Sequence, residues 1–145
     1  MNIFTKRLIV TALAVVMLVM SIAVPFEKAE AAMTYNNTMS ANLYCNIESN
    51  GHLCANMDVT GYKNRTTSIH VELYVEKRVL GIFWSRVEIG YTNNTWIDST
   101  TSYIYSGVFD TALPSTGTYR TTVTYTITGT GGSDDVIVKT DTVTY

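Results

Sequence analysis

The stretch Ser68–Lys77, SIHVELYVEK, alternates between apolar and polar side chains with a period of two. The apolar set is Ile69, Val71, Leu73 and Val75, and the polar set between them is His70, Glu72, Tyr74 and Glu76. Successive side chains of a β-strand point to opposite faces of the sheet. The pattern therefore predicts a strand with one face in a core and the other face in water.

The same alternation recurs along the chain from residue 32 onward. Seven segments are predicted as strands, at residues 41–48, 52–60, 66–78, 83–91, 101–109, 118–128 and 135–144. Turn-forming sequences separate them, among them SNG, PSTG and GTGGSDD. Short strands punctuated in this way predict an all-β fold, an antiparallel, immunoglobulin-like sandwich of about seven strands.

The first 31 residues have the pattern of a secretory signal peptide. Lys6 and Arg7 precede an apolar run from Leu8 to Val24, and Ala29 and Ala31 form an A-x-A cleavage site. The run is also close to the length of a spanning helix, so an uncleaved anchor is the alternative. We expect cleavage after residue 31, a secreted protein, and a single β-sandwich domain over residues 32–145.

Charge in the predicted mature chain is sparse and mixed. Residues 32–145 contain seven Lys and Arg residues and ten Asp and Glu residues, with no long run of either sign. A nucleic-acid-binding face requires clustered basic residues. The composition therefore argues against a nucleic-acid partner.

The stretch LPSTGTYR, residues 113–120, has two interpretations. Its first five residues are similar to a sortase signal, but neither the apolar segment nor the basic tail that such a signal requires follows it. Its second half is similar to the corner before strand F of immunoglobulin-like domains, where a tyrosine hydroxyl bonds to the backbone upstream. We therefore expect Gly117 and Tyr119 to form a structural corner, and we expect no sortase anchoring.

Cys45 and Cys54 are predicted to form a disulfide, because an even cysteine count in an exported chain favours one. A four-residue hairpin loop would place them directly opposite each other, but it would send the apolar residues of the two strands to different faces. A two-residue turn would set the cysteines diagonally. A bulge, or a first strand that crosses to the other sheet, would allow both the disulfide and a common apolar face. The spacing of the cysteines with His52 and His70 matches no usual zinc pattern, so no metal site is predicted.

Catalysis is not expected from this sequence. It contains no nucleophile elbow or comparable local signature, and the glycine-rich GTGGSDD lacks the lysine and the helix of a phosphate-binding loop. His70 lies on the polar face of its predicted strand, where a solvated histidine is the common case. We predict no catalytic residues and no cofactor.

Three short motifs carry a resemblance to small secreted proteins of Gram-positive bacteria of unknown function. They are the nearby pair Cys45 and Cys54, the charged pair Lys77 and Arg78 before Trp84, and the strand start Gly117–Arg120. The chain resembles that group over most of residues 32–145. The resemblance implies secretion and a sandwich fold, and it implies no activity.

The stretch KRVLGIFWSR, residues 77–86, is the candidate partner-binding loop. Its five large apolar residues, Val79, Leu80, Ile82, Phe83 and Trp84, gather around Gly81 and cannot all face one core. They form either an exposed recognition tip or a cap that folds under the end of the sandwich. The expected function is binding or adhesion to a cell-surface, wall or membrane component. The alternatives are a membrane-active or antimicrobial protein, suggested by the threonine-rich residues 118–144, and a structural wall component.

Overall fold

The computed structural model describes residues 34–145, and the predicted signal peptide, residues 1–31, lies outside them. The eight strands are β1 (Thr38–Ile47), β2 (His52–Gly61), β3 (Thr66–Val79), β4 (Phe83–Arg86), β5 (Trp96–Thr100), β6 (Ile104–Ala112), β7 (Thr118–Gly129) and β8 (Asp135–Thr144). A single 3-10 turn, Thr92–Asn94, precedes β5. Within this part of the chain, no helix is long and apolar enough to cross a bilayer.

The strands form two antiparallel sheets. The three-stranded sheet has the order β1–β2–β6. In the five-stranded sheet, β3 pairs with β7 along one edge and β7 pairs with β8, while the other edge of β3 is shared by β4 and β5. The predicted all-β antiparallel sandwich is confirmed. It has eight strands rather than about seven because β5 was not predicted, and the predicted strand 83–91 ends earlier, at Arg86.

The core lies between the inner faces of the two sheets. The three-stranded sheet contributes Ala41, Cys45, Leu53, Ala55, Met57, Val59, Tyr105 and Phe109, and the five-stranded sheet contributes Ile69, Val71, Leu73, Val75, Tyr119, Val123, Tyr125, Ile127 and Ile137. The period-two pattern of the sequence is thus the burial pattern of the strands. Each large apolar side chain buried in this way stabilises the fold by about 1.5–3 kcal/mol.

The β1–β2 hairpin corrects the predicted disulfide. Its loop has three residues, closed by a hydrogen bond from the Gly51 N–H to the Glu48 carbonyl oxygen (2.9 Å), with Gly51 in the left-handed region at φ 81°. In the resulting register Cys45 lies opposite Ala55, and Cys54 lies one position away, opposite Asn46. The two thiols therefore point to opposite faces of the sheet, and both cysteines are free.

This register also places the apolar residues of β1 and β2 on the same face, which neither predicted loop did. The buried Cys45 pairs with the buried Ala55, and Ile47 pairs with the buried Leu53. Relative to the predicted loops of two and four residues, a loop of three residues shifts the pairing of β2 against β1 by one residue. A shift of one residue brings the apolar side chains of the two strands to the same face of the sheet.

The two thiols should differ sharply in reactivity. Cys45 is 4% exposed, and burial raises the pKa of its thiol to about 11. The reactive thiolate is therefore scarce at neutral pH, whereas Cys54 lies on the outer face of its sheet. We expect iodoacetamide to add one group to the native protein, at Cys54, and a second group at Cys45 only after denaturation. If mass spectrometry shows no adduct in denaturant without reductant, the cysteines are bonded to each other, as the sequence predicted.

Candidate functional site

The candidate site is the hairpin formed by β3 and β4. Three residues, Leu80–Ile82, connect the paired Val79 and Phe83; Leu80 and Gly81 are the central residues of the turn with φ values of 52° and 74°, and the Ile82 N–H donates a hydrogen bond to the Val79 carbonyl oxygen (3.2 Å). Positive φ at both central residues defines the turn that matches the twist of a β-hairpin, and Asn-Gly is its preferred sequence. Leucine disfavours the left-handed region sterically, so Leu80 holds a strained conformation.

Four of the five predicted loop residues are exposed in this turn. The exposed fractions are 41% for Val79, 84% for Leu80, 71% for Ile82 and 60% for Phe83. We call these four residues the hairpin tip. Trp84, the fifth, is half-buried. A cap folded under the sandwich would bury the aliphatic side chains, so the tip does not form such a cap.

Apolar groups lie on both faces of the hairpin. Phe83 pairs with Val79 on the face that is continuous with the core, and Trp84 pairs with Arg78 on the outer face. The pairing of β7 with β3 ends at Lys77, so the last turn of the hairpin extends past its neighbouring strand. An alanine-like Cβ placed on Gly81 would have no atom within 4 Å. The hairpin tip therefore projects into open space.

Arginines cover the aromatic side chains behind the tip on the outer face. The Arg120 and Arg78 guanidinium carbons lie 4.3 and 6.0 Å from the centre of the Trp84 ring. That of Arg86 lies 3.5 Å from the centre of the Tyr74 ring. We call these five residues the arginine–aromatic cluster. Such contacts between cations and ring faces are attractive by about 0.5–1 kcal/mol at exposed sites, which holds the guanidinium groups in place.

Glu76 is the acidic partner inside this cluster. Arg120 donates two hydrogen bonds to its Oε2 atom, from Nε at 3.0 Å and from a terminal nitrogen at 2.7 Å. Arg86 lies opposite Glu76 on the other side of β3. Lys77, Arg78 and Arg86 belong to the same stretch as the tip, residues 77–86, but Arg120 lies far along the chain on β7, and the sequence did not indicate it as a neighbour.

The corner residues Gly117 and Tyr119 lie at the base of the hairpin. Tyr119 is fully buried, and its hydroxyl donates a hydrogen bond to the backbone carbonyl oxygen of Ser115, the bond that the corner interpretation requires. The Lys77 ammonium lies 5.5 Å from the centre of the Tyr119 ring and donates a hydrogen bond to the Ser115 hydroxyl. Gly117 has φ 148°, a backbone conformation that residues with a side chain rarely adopt, so glycine is favoured at this position.

Tyr119→Phe tests the corner. We expect the loss of one hydrogen bond to lower the free energy of unfolding by about 1 kcal/mol, since Ser115 is exposed and water can bind the vacated carbonyl oxygen. Urea denaturation measures the change. The matched control is Tyr44→Phe, because Tyr44 is exposed and its hydroxyl forms no hydrogen bond within residues 34–145. Equal midpoints for the two variants would remove the structural role of the corner.

His52 and Cys54 lie near each other on β2 of the three-stranded sheet. His52 Nδ1 is 2.6 Å from Asp110 Oδ1, and both side chains are exposed on the outer face that also carries Cys54. Nucleophilic catalysis requires the nucleophile within hydrogen-bonding reach of its base. Among residues 34–145, no hydrogen bond joins Cys54 to His52, and no three or more His, Cys, Asp or Glu side chains are grouped to hold a metal ion.

Exposed apolar and basic side chains are therefore concentrated at the hairpin tip and in the arginine–aromatic cluster behind it. Both parts are held by backbone pairing and by side-chain contacts on β3, β4 and β7. No protein-family model matches the chain, and no curated protein sequence is significantly similar to it.

Proposed function

We propose that the protein is an exported, non-catalytic binding module that attaches to a cell-surface, wall or membrane component through the hairpin tip. The observation that carries the proposal is the exposure of Leu80 in a strained turn. Contiguous exposed apolar groups on a small domain usually mark a contact surface. In this proposal the signal peptide of residues 1–31 directs export, and the sandwich holds the hairpin in a fixed conformation.

The strain at Leu80 supports a binding role. A leucine in the left-handed region costs about 1–2 kcal/mol relative to the right-handed region, and asparagine at that position costs less. Backbone strain of this kind is common at ligand-contacting positions, where contacts with a partner offset it. Leu80 is 84% exposed, so its side chain gains little from packing within residues 34–145, and we assign the compensating contact to the partner.

The packing of the threonine-rich residues favours binding over membrane disruption. The segment 118–144 forms β7 and β8, and the inner face of β7 contributes Tyr119, Val123, Tyr125 and Ile127 to the core. Release of this segment as a pore-forming hairpin would expose all four side chains. Attachment through the hairpin tip requires no such rearrangement.

The test compares the exported protein with Leu80→Asn/Phe83→Ser in binding to whole cells, purified wall and membrane vesicles. We expect the wild type to sediment with at least one of these and the variant to lose that binding at unchanged thermal stability. The matched control is Val136→Thr/Val138→Thr, which alters two valines of β8 that are 61% and 58% exposed. Binding that survives in the hairpin variant, or is lost equally in the control, would refute the proposal.

A further inference from the structure

We infer that the partner is the surface of an anionic phospholipid bilayer. In this arrangement the hairpin tip enters the headgroup region, and the exposed Arg78 and Arg86 contact lipid phosphates. The inference rests on the proposed function, since it takes the hairpin tip as the binding site. It adds the chemical class of the partner.

The first argument is the distribution of apolar groups around the hairpin. Val79 and Phe83 lie on one face, Trp84 lies on the other, and Leu80 and Ile82 lie at the end. A flat or shallow protein partner would cover one face and leave the other in water. The boundary between headgroups and acyl chains surrounds an inserted hairpin on every side, so it covers all of these groups at once.

The second argument is the separation of charge. Of the seven Lys and Arg residues in the described chain, four lie at the end of the hairpin, namely Lys77, Arg78 and Arg86 within residues 76–88 and Arg120 beside them on β7, and the acids within residues 76–88 are Glu76 and Glu88. The remainder of the described chain carries three basic and eight acidic residues. An anionic surface therefore attracts the net positive hairpin end and repels the net negative remainder of the chain, which orients the molecule as it approaches.

The third argument is the order of groups along the hairpin. The apolar tip comes first, and the indole of Trp84 and the guanidinium groups that cover it follow behind. Tryptophan and arginine are suited to the interface between hydrocarbon and water, because each combines an apolar part with a hydrogen-bond donor. Arg78 and Arg86 form no ion pair within residues 34–145, so their donors are available to phosphate oxygens.

The direct test is co-sedimentation of the exported protein with vesicles of phosphatidylcholine alone and of phosphatidylcholine mixed with phosphatidylglycerol. We expect binding to the mixed vesicles to be at least about tenfold tighter, and to weaken as salt is added, because the attraction is screened. Brominated lipid in the mixed vesicles should quench the fluorescence of Trp84, and Trp84→Phe should abolish that quenching. Equal binding to both vesicle types, or an absence of quenching, would overturn the inference.

Two variants separate the apolar and the charged contributions. Leu80→Asn gives the turn its preferred residue, so we expect an unchanged or higher melting temperature together with at least about tenfold weaker binding. Arg78→Gln/Arg86→Gln should remove most of the salt dependence and leave the fold intact. Full binding by Leu80→Asn would overturn the inference even if the arginine variant behaves as expected.

The outcomes also distinguish the inference from the proposed function. Attachment to purified wall but not to vesicles, lost in Leu80→Asn/Phe83→Ser, would leave the hairpin as the binding site and overturn the lipid partner. This arm detects anionic wall polymers, which offer phosphates without an apolar layer. Unchanged attachment of that variant to every surface would overturn both.

Discussion

Asp135→Ala is expected to lower the free energy of unfolding by about 3–5 kcal/mol. The Asp135 carboxylate is buried and accepts hydrogen bonds from the backbone N–H groups of Asn36 (2.9 Å) and Asn37 (2.7 Å) and from the Thr38 hydroxyl (2.9 Å). Hydrogen bonds to a charged group contribute about 1.5–3 kcal/mol each, and losses within one network do not add fully. Alanine would leave three donors without their acceptor, two of them on fully or nearly fully buried residues.

The matched control is Asp134→Ala, because Asp134 is adjacent and exposed. Chemical denaturation of both variants should show a large loss for Asp135→Ala and a change within about 0.5 kcal/mol for Asp134→Ala. Amide hydrogen exchange should also rise at the start of β1, which this carboxylate fastens to β8. Similar midpoints for the two variants would show that water or another side chain replaces the carboxylate.

Phe109→Ala is expected to lower the free energy of unfolding by a similar amount, about 3–5 kcal/mol. Phe109 is 2% exposed on β6, and the centre of its ring lies 5.8 Å from that of Trp96 and 6.3 Å from that of Tyr91. The phenylalanine therefore joins the three-stranded sheet to β5 of the other sheet. Its removal would leave a cavity beneath β5, whose backbone pairing within residues 34–145 is with β3 alone.

Val108→Ala is the control for this change, because Val108 precedes Phe109 on the same strand and is 61% exposed. We expect its effect on the free energy of unfolding to stay within about 0.5 kcal/mol. Near-ultraviolet circular dichroism should report the loss of Trp96 packing in Phe109→Ala. Comparable losses in the two variants would contradict the assignment of the inner face of β6.

These core contacts are separate from the hairpin tip. The tip residues are exposed at the end of one hairpin, whereas Asp135 and Phe109 join different parts of the sandwich. Mutations at sites that share no contacts usually have additive effects on stability. The binding variants of the hairpin can therefore be compared at nearly constant stability, and Leu80→Asn is expected to be more stable than the wild type while binding less. A stabilising substitution that removes function is a common result at a strained site.

Local pattern determined most of the strands. The alternation around Ile69–Val75 predicted β3 correctly, because the apolar and polar residues that define its buried and exposed faces all lie within this one segment of sequence. The same reasoning located β2, β7 and β8 to within a few residues. The apolar residues around Gly81 were also identified from sequence, since no single core could accept all five.

Contacts between distant segments decided the rest. β5 was missed because apolar and polar residues do not alternate along it: Trp96 and Asp98 lie on the inner side, where the Tyr105 hydroxyl donates a hydrogen bond to Asp98, and Ile97 faces outward. The cysteine pairing depended on a loop longer by one residue than a two-residue turn, a difference too small for composition to reveal but large enough to exchange the faces. Arg120 contacts Trp84 and Glu76 because β7 pairs with β3. Neighbours across a sheet depend on the register of the two strands, which the local sequence does not indicate.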